Sequence, residues 1–184
     1  MYNKVDTNLN FVDREKQVRE FWKDNDIFKK SMEQRKQGET YTFYDGPPTA
    51  NGKPHIGHVE TRTIKDMIPR FQAMKGKYVP RKAGWDTHGL PVELSVEKAL
   101  GITKEDIGKK ISVADYNAAC RKDVMKYTKE WEDLTHRMGY WVDMKHPYIT
   151  YDNRYIETLW WLLKQLHKKG LLYKGYTIQP YSPA

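Results

Sequence analysis

Apolar positions along the chain switch between helical and strand spacing, and the alternation predicts an order of elements. Val18, Phe21 and Trp22 share one helical face behind Asp13, which is suited to capping, and Ile27 and Phe28 extend that surface. Met32 to Glu39 is polar, contains Gly38 and reads as a link, so a boundary is placed near residue 40. Tyr41 to Tyr44 predicts a short strand, stopped by Asp45-Gly46-Pro47-Pro48, with a loop running on to Pro54. A helix is predicted from His55–His58 to about Lys75, with Ile64, Met67, Ile68, Phe71 and Met74 at helical spacing and Gly76 as its stop. Lys77 to Arg81 reads as a second short strand and Gly84 to Pro91 as a loop, with helical patterning again from Val92.

Thr103 with Asp106, and Ser112 with Asp115, have the form of helix N-terminal caps. Tyr116, Cys120, Val124, Tyr127, Trp131, Leu134 and Met138 then step by three or four, predicting one continuous helix over 113–138 with its stripe in the core. Tyr155 to Lys169 predicts a further helix, with Ile156, Leu159, Trp160, Leu163 and Leu166 inward and Gly170 as its end. Tyr173 to Tyr181 reads as a strand. Strand, helix, strand, helices, strand is the order of crossovers in a parallel sheet, so the expected class is α/β.

Composition adds bounds. The 184 residues suit one domain or one with a small appendage, divided here into 1–40, a helical extension, and 41–184. An apolar fraction of 39% with 13% aromatics argues against disorder. The net charge of +8 fits a polyanionic partner such as RNA or a nucleotide, and equally an ordinary solvated basic surface. The single cysteine, Cys120, excludes an internal disulfide and a Cys-based zinc site and suits a reducing cytoplasm. Its place on the apolar stripe makes it a small buried residue rather than a nucleophile. No apolar run reaches the roughly 18–20 residues that cross a bilayer, and Met1 to Asn10 lacks the apolar core of a signal peptide.

The chemistry concentrates in Asp45-Gly-Pro-Pro-Thr-Ala-Asn-Gly-Lys-Pro-His55-Ile-Gly-His58. A loop that leaves a strand and opens a helix offers free backbone N–H groups and about half a unit of positive charge, a site for phosphate. His55 and His58 lie in the first turn, where each can donate to a phosphate oxygen, and Gly57 lets a flat purine approach the backbone. By itself His-x-x-His also fits two surface histidines, or zinc ligands with His88 as the third, although no metalloprotease Glu accompanies them.

The string resembles the first signature of the class I aminoacyl-tRNA synthetases, His-Ile-Gly-His, in literal form. Gly84-Trp-Asp-Thr-His-Gly-Leu-Pro-Val-Glu93 is similar to the isoleucyl branch, whereas valyl and leucyl enzymes show other patterns there. Arg62 to Arg81, Trp160-Trp161 and Tyr173 to Pro183 fit the same branch, so the resemblance extends from about residue 8 onward. It implies the first half of a Rossmann-like nucleotide-binding domain, with parallel strands and flanking helices. The implied reaction is ATP-dependent activation of isoleucine and its transfer to tRNA(Ile), with Mg2+ accompanying ATP and no zinc, in a cytoplasmic monomer.

In that family, Pro48, Thr49, Asn51, Gly52, His55, Ile56, Gly57 and His58 would line ATP, with His55 and His58 as the catalytic pair on the triphosphate and Gly57 under the adenine. Gly46, Pro47, Asp86, His88 and Glu93 would serve the amino acid, Asp86 and the Pro47 carbonyl receiving its ammonium. The family's second signature, a Lys-Met-Ser-Lys-Ser type loop, is absent. The chain therefore reads as an N-terminal fragment that stops where an editing insertion begins and is weak or inactive alone. Rival readings are an RNA-binding module without catalysis, and a small nucleotidyltransferase acting on a metabolite.

Overall fold

The computed structural model describes Lys4 and residues 7–181; the rest of the Met1–Asn10 stretch, and Ser182 and Pro183 of the resemblance at the C-terminal end, lie outside the described residues. Strands β1 (Phe43–Tyr44), β2 (Arg81–Trp85) and β3 (Asp143–Ile149) form a parallel sheet in the order β1-β2-β3. Helices α1 (Phe11–Asp24) and α2 (Ile27–Glu33) precede it, and α3 (Ile56–Met74) crosses from β1 to β2. Helices α4 (Leu90–Leu100), α5 (Val113–Asp123) and α6 (Thr128–Arg137) connect β2 to β3, and α7 (Asn153–Lys168) follows. The α/β class with parallel strands is as the patterning predicts.

Several local expectations need correction. Asn10, not Asp13, caps α1: its backbone is extended, and its side chain accepts from Val12 N–H at 3.1 Å and Asp13 N–H at 3.3 Å. Asp13 is already helical and receives the Asn10 amide at 2.7 Å. The second strand starts four residues later than expected; Tyr78 makes only an isolated bridge to Thr40, and β2 runs through Gly84 and Trp85. Gly84 reads as a loop signal, yet here it serves close approach, because the Tyr148 ring of β3 lies flat where a Cβ would project. Gly84→Ala is therefore expected to cost about 1–3 kcal/mol by overpacking. Urea midpoints would check this, and an unchanged midpoint would contradict the contact.

The third strand is Asp143–Ile149, not 173–181. Its charged, half-exposed sequence carries no clear alternation, whereas Tyr173 to Tyr181 belongs to no strand and is exposed. The helix expected over 113–138 is two, because the chain turns at 124–127 and Tyr127 N–H donates to the Ala50 carbonyl at 2.9 Å. The stripe still faces inward, with Tyr116, Val124 and Trp131 buried. Cys120 is only half-buried rather than buried, and desolvation raises its thiol pKa, which disfavours the nucleophilic thiolate.

The side of α3 that faces in is not its apolar one. Ile64, Met67, Ile68, Phe71 and Met74 are exposed, while Arg62, Asp66 and Pro69 are buried. The arginines enter because aromatic faces receive them. Arg62 lies over Trp131 and Tyr140, at 5.3 and 4.9 Å from the ring centroids. Arg70 lies 4.0 Å over Trp141 and pairs with Asp66 at 2.6 Å. Arg81 of β2 comes to 3.7 Å from Asp66, and burial lowers its guanidinium pKa to about 10. Trp141 also meets Trp22 of α1 and Phe28 of α2, at 5.0 and 5.8 Å between centroids, which docks the N-terminal helices against this ladder. Helix α7, expected to turn Leu159, Trp160, Leu163 and Leu166 inward, exposes all four, because nothing among the described residues covers that face.

Candidate nucleotide-binding site

The loop after β1 delivers His55 as the extended N-cap of α3. The His55 Nδ1 accepts from Gly57 N–H at 3.2 Å, and His55 N–H donates to His58 Nδ1 at 3.1 Å. This reciprocal cap consumes both Nδ1 lone pairs, so in each neutral ring the proton sits on Nε2. The two rings lie 3.7 Å apart between centroids. A helix N-terminus thus carries two aligned Nε2–H donors, a suitable receptor for phosphate oxygens. Desolvation lowers the His58 pKa, and the interactions with His55, Arg62 and Lys65 lower it further, which favours the neutral donor form. Gly57 has a local reason to be glycine, since a Cβ would press within 3.1 Å of the His55 ring.

Behind the histidines, the Trp131 ring of α6 lies 4.7 Å from the His58 ring between centroids and donates Nε1–H to the Gly52 carbonyl at 2.9 Å. Ala50 is fully buried against Trp85 and Trp131, anchoring the loop, while Pro48, Thr49 and Asn51 are half-buried and Gly46 and Gly52 exposed. Ile56 is exposed in the first turn.

The second block reaches the same loop through the sheet. Asp86 follows β2, its N–H donates to the Pro48 carbonyl at 3.0 Å, and it bridges to Thr49. Gly46–Pro48 and Asp86 are thereby laced together. Among the described residues, the Asp86 carboxylate accepts only a 3.3 Å bond from His88 N–H. His88 itself turns to Thr150, with Nδ1 2.8 Å from the hydroxyl oxygen. Glu93 is exposed in the first turn of α4, and no hydrogen bond or ion pair joins it to these loops among the described residues. Nor do three or more His, Cys, Asp or Glu side chains converge there in a metal-holding group among those residues.

Sequence reasoning missed the support beneath the loop. Asp45 is 1% exposed; Lys65 pairs with one carboxylate oxygen, and Arg62 Nη2 lies 3.6 Å from the other. Lys65 also donates to the Gly46 carbonyl at 3.2 Å. Arg62 donates to Thr135 Oγ1 at 2.7 Å, and the Tyr148 hydroxyl donates to the Asp45 carbonyl. Burial raises the hydroxyl pKa of Tyr140 strongly and that of Tyr148 to about 12, with the Asp45 charge adding to both. The available signal was Arg62 and Lys65 at i,i+3, on the side of α3 away from its apolar stripe.

Comparison with known proteins agrees with this geometry. The model of the tRNA synthetases class I (I, L, M and V) matches residues 17–184. The isoleucine–tRNA ligase of Bacteroides thetaiotaomicron is 79% identical over 169 residues, which is 92% of this chain and 14% of that protein. That of Cytophaga hutchinsonii is 62% identical over 183 residues, covering 100% of this chain and 16% of the relative. The chain thus spans a small part of the length of its curated relatives. A ternary complex of Agrobacterium radiobacter K84 agnB2 LeuRS with tRNA and LeuAMS shares the fold, with a TM-score of 0.59 and 22% identity over 87% of this chain and 18% of that one. Strand order, capped helix start and sequence similarity agree: the chain belongs to the class I tRNA synthetase family (I, L, M and V).

Proposed function

We propose that this chain is the ATP-gripping half of an isoleucine–tRNA ligase active site. The observation that carries the reading is the reciprocal His55–His58 cap, which leaves two Nε2–H donors at a helix N-terminus, in a chain 79% identical to such a ligase. The isoleucine carboxylate attacks the α-phosphorus of ATP. A carboxyl–phosphate anhydride forms, the bond to the bridging oxygen breaks, and pyrophosphate leaves with those electrons. A carboxylate needs no general base, so the chain's work is positioning and charge stabilisation. His55 and His58 donate to the triphosphate, and Pro48, Thr49, Asn51, Gly52, Ile56 and Gly57 form the surrounding surface. Mg2+ enters as the magnesium salt of the substrate ATP. The tRNA(Ile) terminal ribose hydroxyl then takes the acyl group, and AMP leaves.

On the amino-acid side, Asp86 pairs with the isoleucine ammonium and the Pro47 carbonyl accepts a second bond, flanked by Gly46, His88 and Glu93. The Pro48–Asp86 hydrogen bond supports this, because it holds both acceptors on one rigid sheet end. Residues 1–40 are read as an extension and 41–184 as half of the catalytic domain, since α1 and α2 both precede the first strand. No helix among the described residues is long and apolar enough to cross a membrane, and we place the protein in the cytoplasm as a monomer.

Isoleucine-dependent ATP–pyrophosphate exchange by the full-length protein tests the function, and its absence there would sink it. The 184 residues alone are expected to be weak or inactive. Asp86→Ala is expected to cost about 2–5 kcal/mol of isoleucine binding, roughly 30-fold or more in KM, with the ATP KM little changed. Steady-state exchange with each substrate varied in turn would check this.

A further inference from the structure

We propose that Trp131 is a positioning residue for the nucleotide site, holding the Gly52 turn and the His58 ring in one register. This rests on the functional reading above. Trp131 lies 79 residues along the chain from Gly52 and is 2% exposed, so core packing alone would be satisfied by any large apolar ring. Its contacts are more particular than that. The only hydrogen-bond donor of an indole goes to the Gly52 carbonyl at 2.9 Å. Residues 51–54 belong to no helix or strand, so this bond ties the approach to His55 to a rigid helix.

The same ring makes a T-shaped contact with His58, 4.7 Å between centroids and 65° between planes, and so limits the imidazole plane and the direction of its Nε2–H. One helical turn earlier, Tyr127 N–H holds the Ala50 carbonyl at 2.9 Å, so α6 grips the loop twice. The indole is itself clamped. Arg62 lies over it at 5.3 Å, and Thr135 joins Arg62 to the Trp131 carbonyl through bonds of 2.7 Å each. Lateral motion of Trp131 would therefore move the Gly52 carbonyl and the His58 ring together. Gly52 and His58 are both assigned above to the triphosphate, and Asp86 to the amino acid.

The test is Trp131→Phe in the full-length protein, which keeps a buried ring and deletes the N–H donor. The KM for ATP is expected to rise about tenfold, from one lost hydrogen bond and a loosened His58 ring, while the isoleucine KM stays within about threefold. Leu134→Ala, a half-buried position on the same helix, serves as the stability control and should lower the melting temperature without moving the ATP KM. An unchanged ATP KM in Trp131→Phe, a parallel rise in both KM values, or the same ATP shift in Leu134→Ala would overturn the proposal. If Trp131→Phe does not fold, Trp131→Met, a large apolar side chain without a donor, carries the same expectation and the same overturning results.

The two readings fail separately. Wild-type protein without isoleucine-dependent exchange removes the functional reading, and ATP binding by equilibrium dialysis on wild type and Trp131→Phe then decides the role of Trp131. Wild-type protein that binds no ATP overturns both.

Discussion

Asp45→Ala is expected to cost about 3–5 kcal/mol of folding stability, the usual effect of removing one member of a buried ion cluster. Asp45 is 1% exposed and is the carboxylate partner of both Lys65 and Arg62. Arg62 is itself buried between Trp131 and Tyr140, so without Asp45 a guanidinium would remain in the core with only Thr135 to receive its protons. Desolvation already lowers the Arg62 pKa, and the Asp45 charge is the first influence opposing it. Small domains hold only about 5–15 kcal/mol in total, so this loss is a large share. Urea unfolding would measure it as a shifted midpoint at constant slope. A loss below about 1 kcal/mol would show that the cluster is not the keystone beneath the loop. Replacing Asp45 and Arg62 together by apolar residues should cost less than Asp45→Ala alone, since no buried guanidinium is then left unpaired.

His58→Ala should lower the adenylation rate constant by about 100–1000-fold, the range found when one donor aimed at developing charge is deleted. The isoleucine KM should change little, because the ammonium site lies at the Asp86 end. Two effects must be separated in this variant. His58 also accepts the His55 N–H and completes the cap, so about 1 kcal/mol of helix stability goes with it. His58→Asn keeps a side-chain acceptor for the cap and a donor beyond it, and should fall between wild type and alanine. Single-turnover adenylate formation reads the rate directly. A defect confined to the isoleucine KM would contradict the placement of His58 on the phosphates.

Much of the site was legible because its geometry is local. The bonds of the helix start, His55 N–H to His58 Nδ1 and Gly57 N–H to His55 Nδ1, both close within three residues. The Thr103–Asp106 and Ser112–Asp115 caps were legible for the same reason and are present as expected. The support beneath the loop was less legible. Asp45 meets Lys65 and Arg62 across a crossover helix, and no spacing rule applied to Asp45 alone points there. Trp131 is further still from the loop it holds.

Helical spacing along α3 identified the helix but not which of its faces is buried. The buried side is the polar one, because arginine stems and guanidinium planes stack on Trp131, Tyr140, Trp141 and Trp22 while Asp45 and Asp66 balance their charge. Periodicity reports that a helix has two faces, and only the neighbouring elements choose between them. Likewise the seven-residue stripe over 116–138 was correctly apolar, yet the chain breaks it where Tyr127 N–H leaves the helical ladder for the Ala50 carbonyl.

By itself, then, the sequence determined the α/β class, the helix start at the two histidines, and the family, all of which rest on neighbours a few residues apart or on contiguous strings. The tertiary structure decided the inward face of α3, the third strand, the division of α5 from α6, and the buried Asp45 cluster. Those depend on long-range partners, and a buried charge is tolerable only where the fold brings its counter-charge and aromatic faces to meet it.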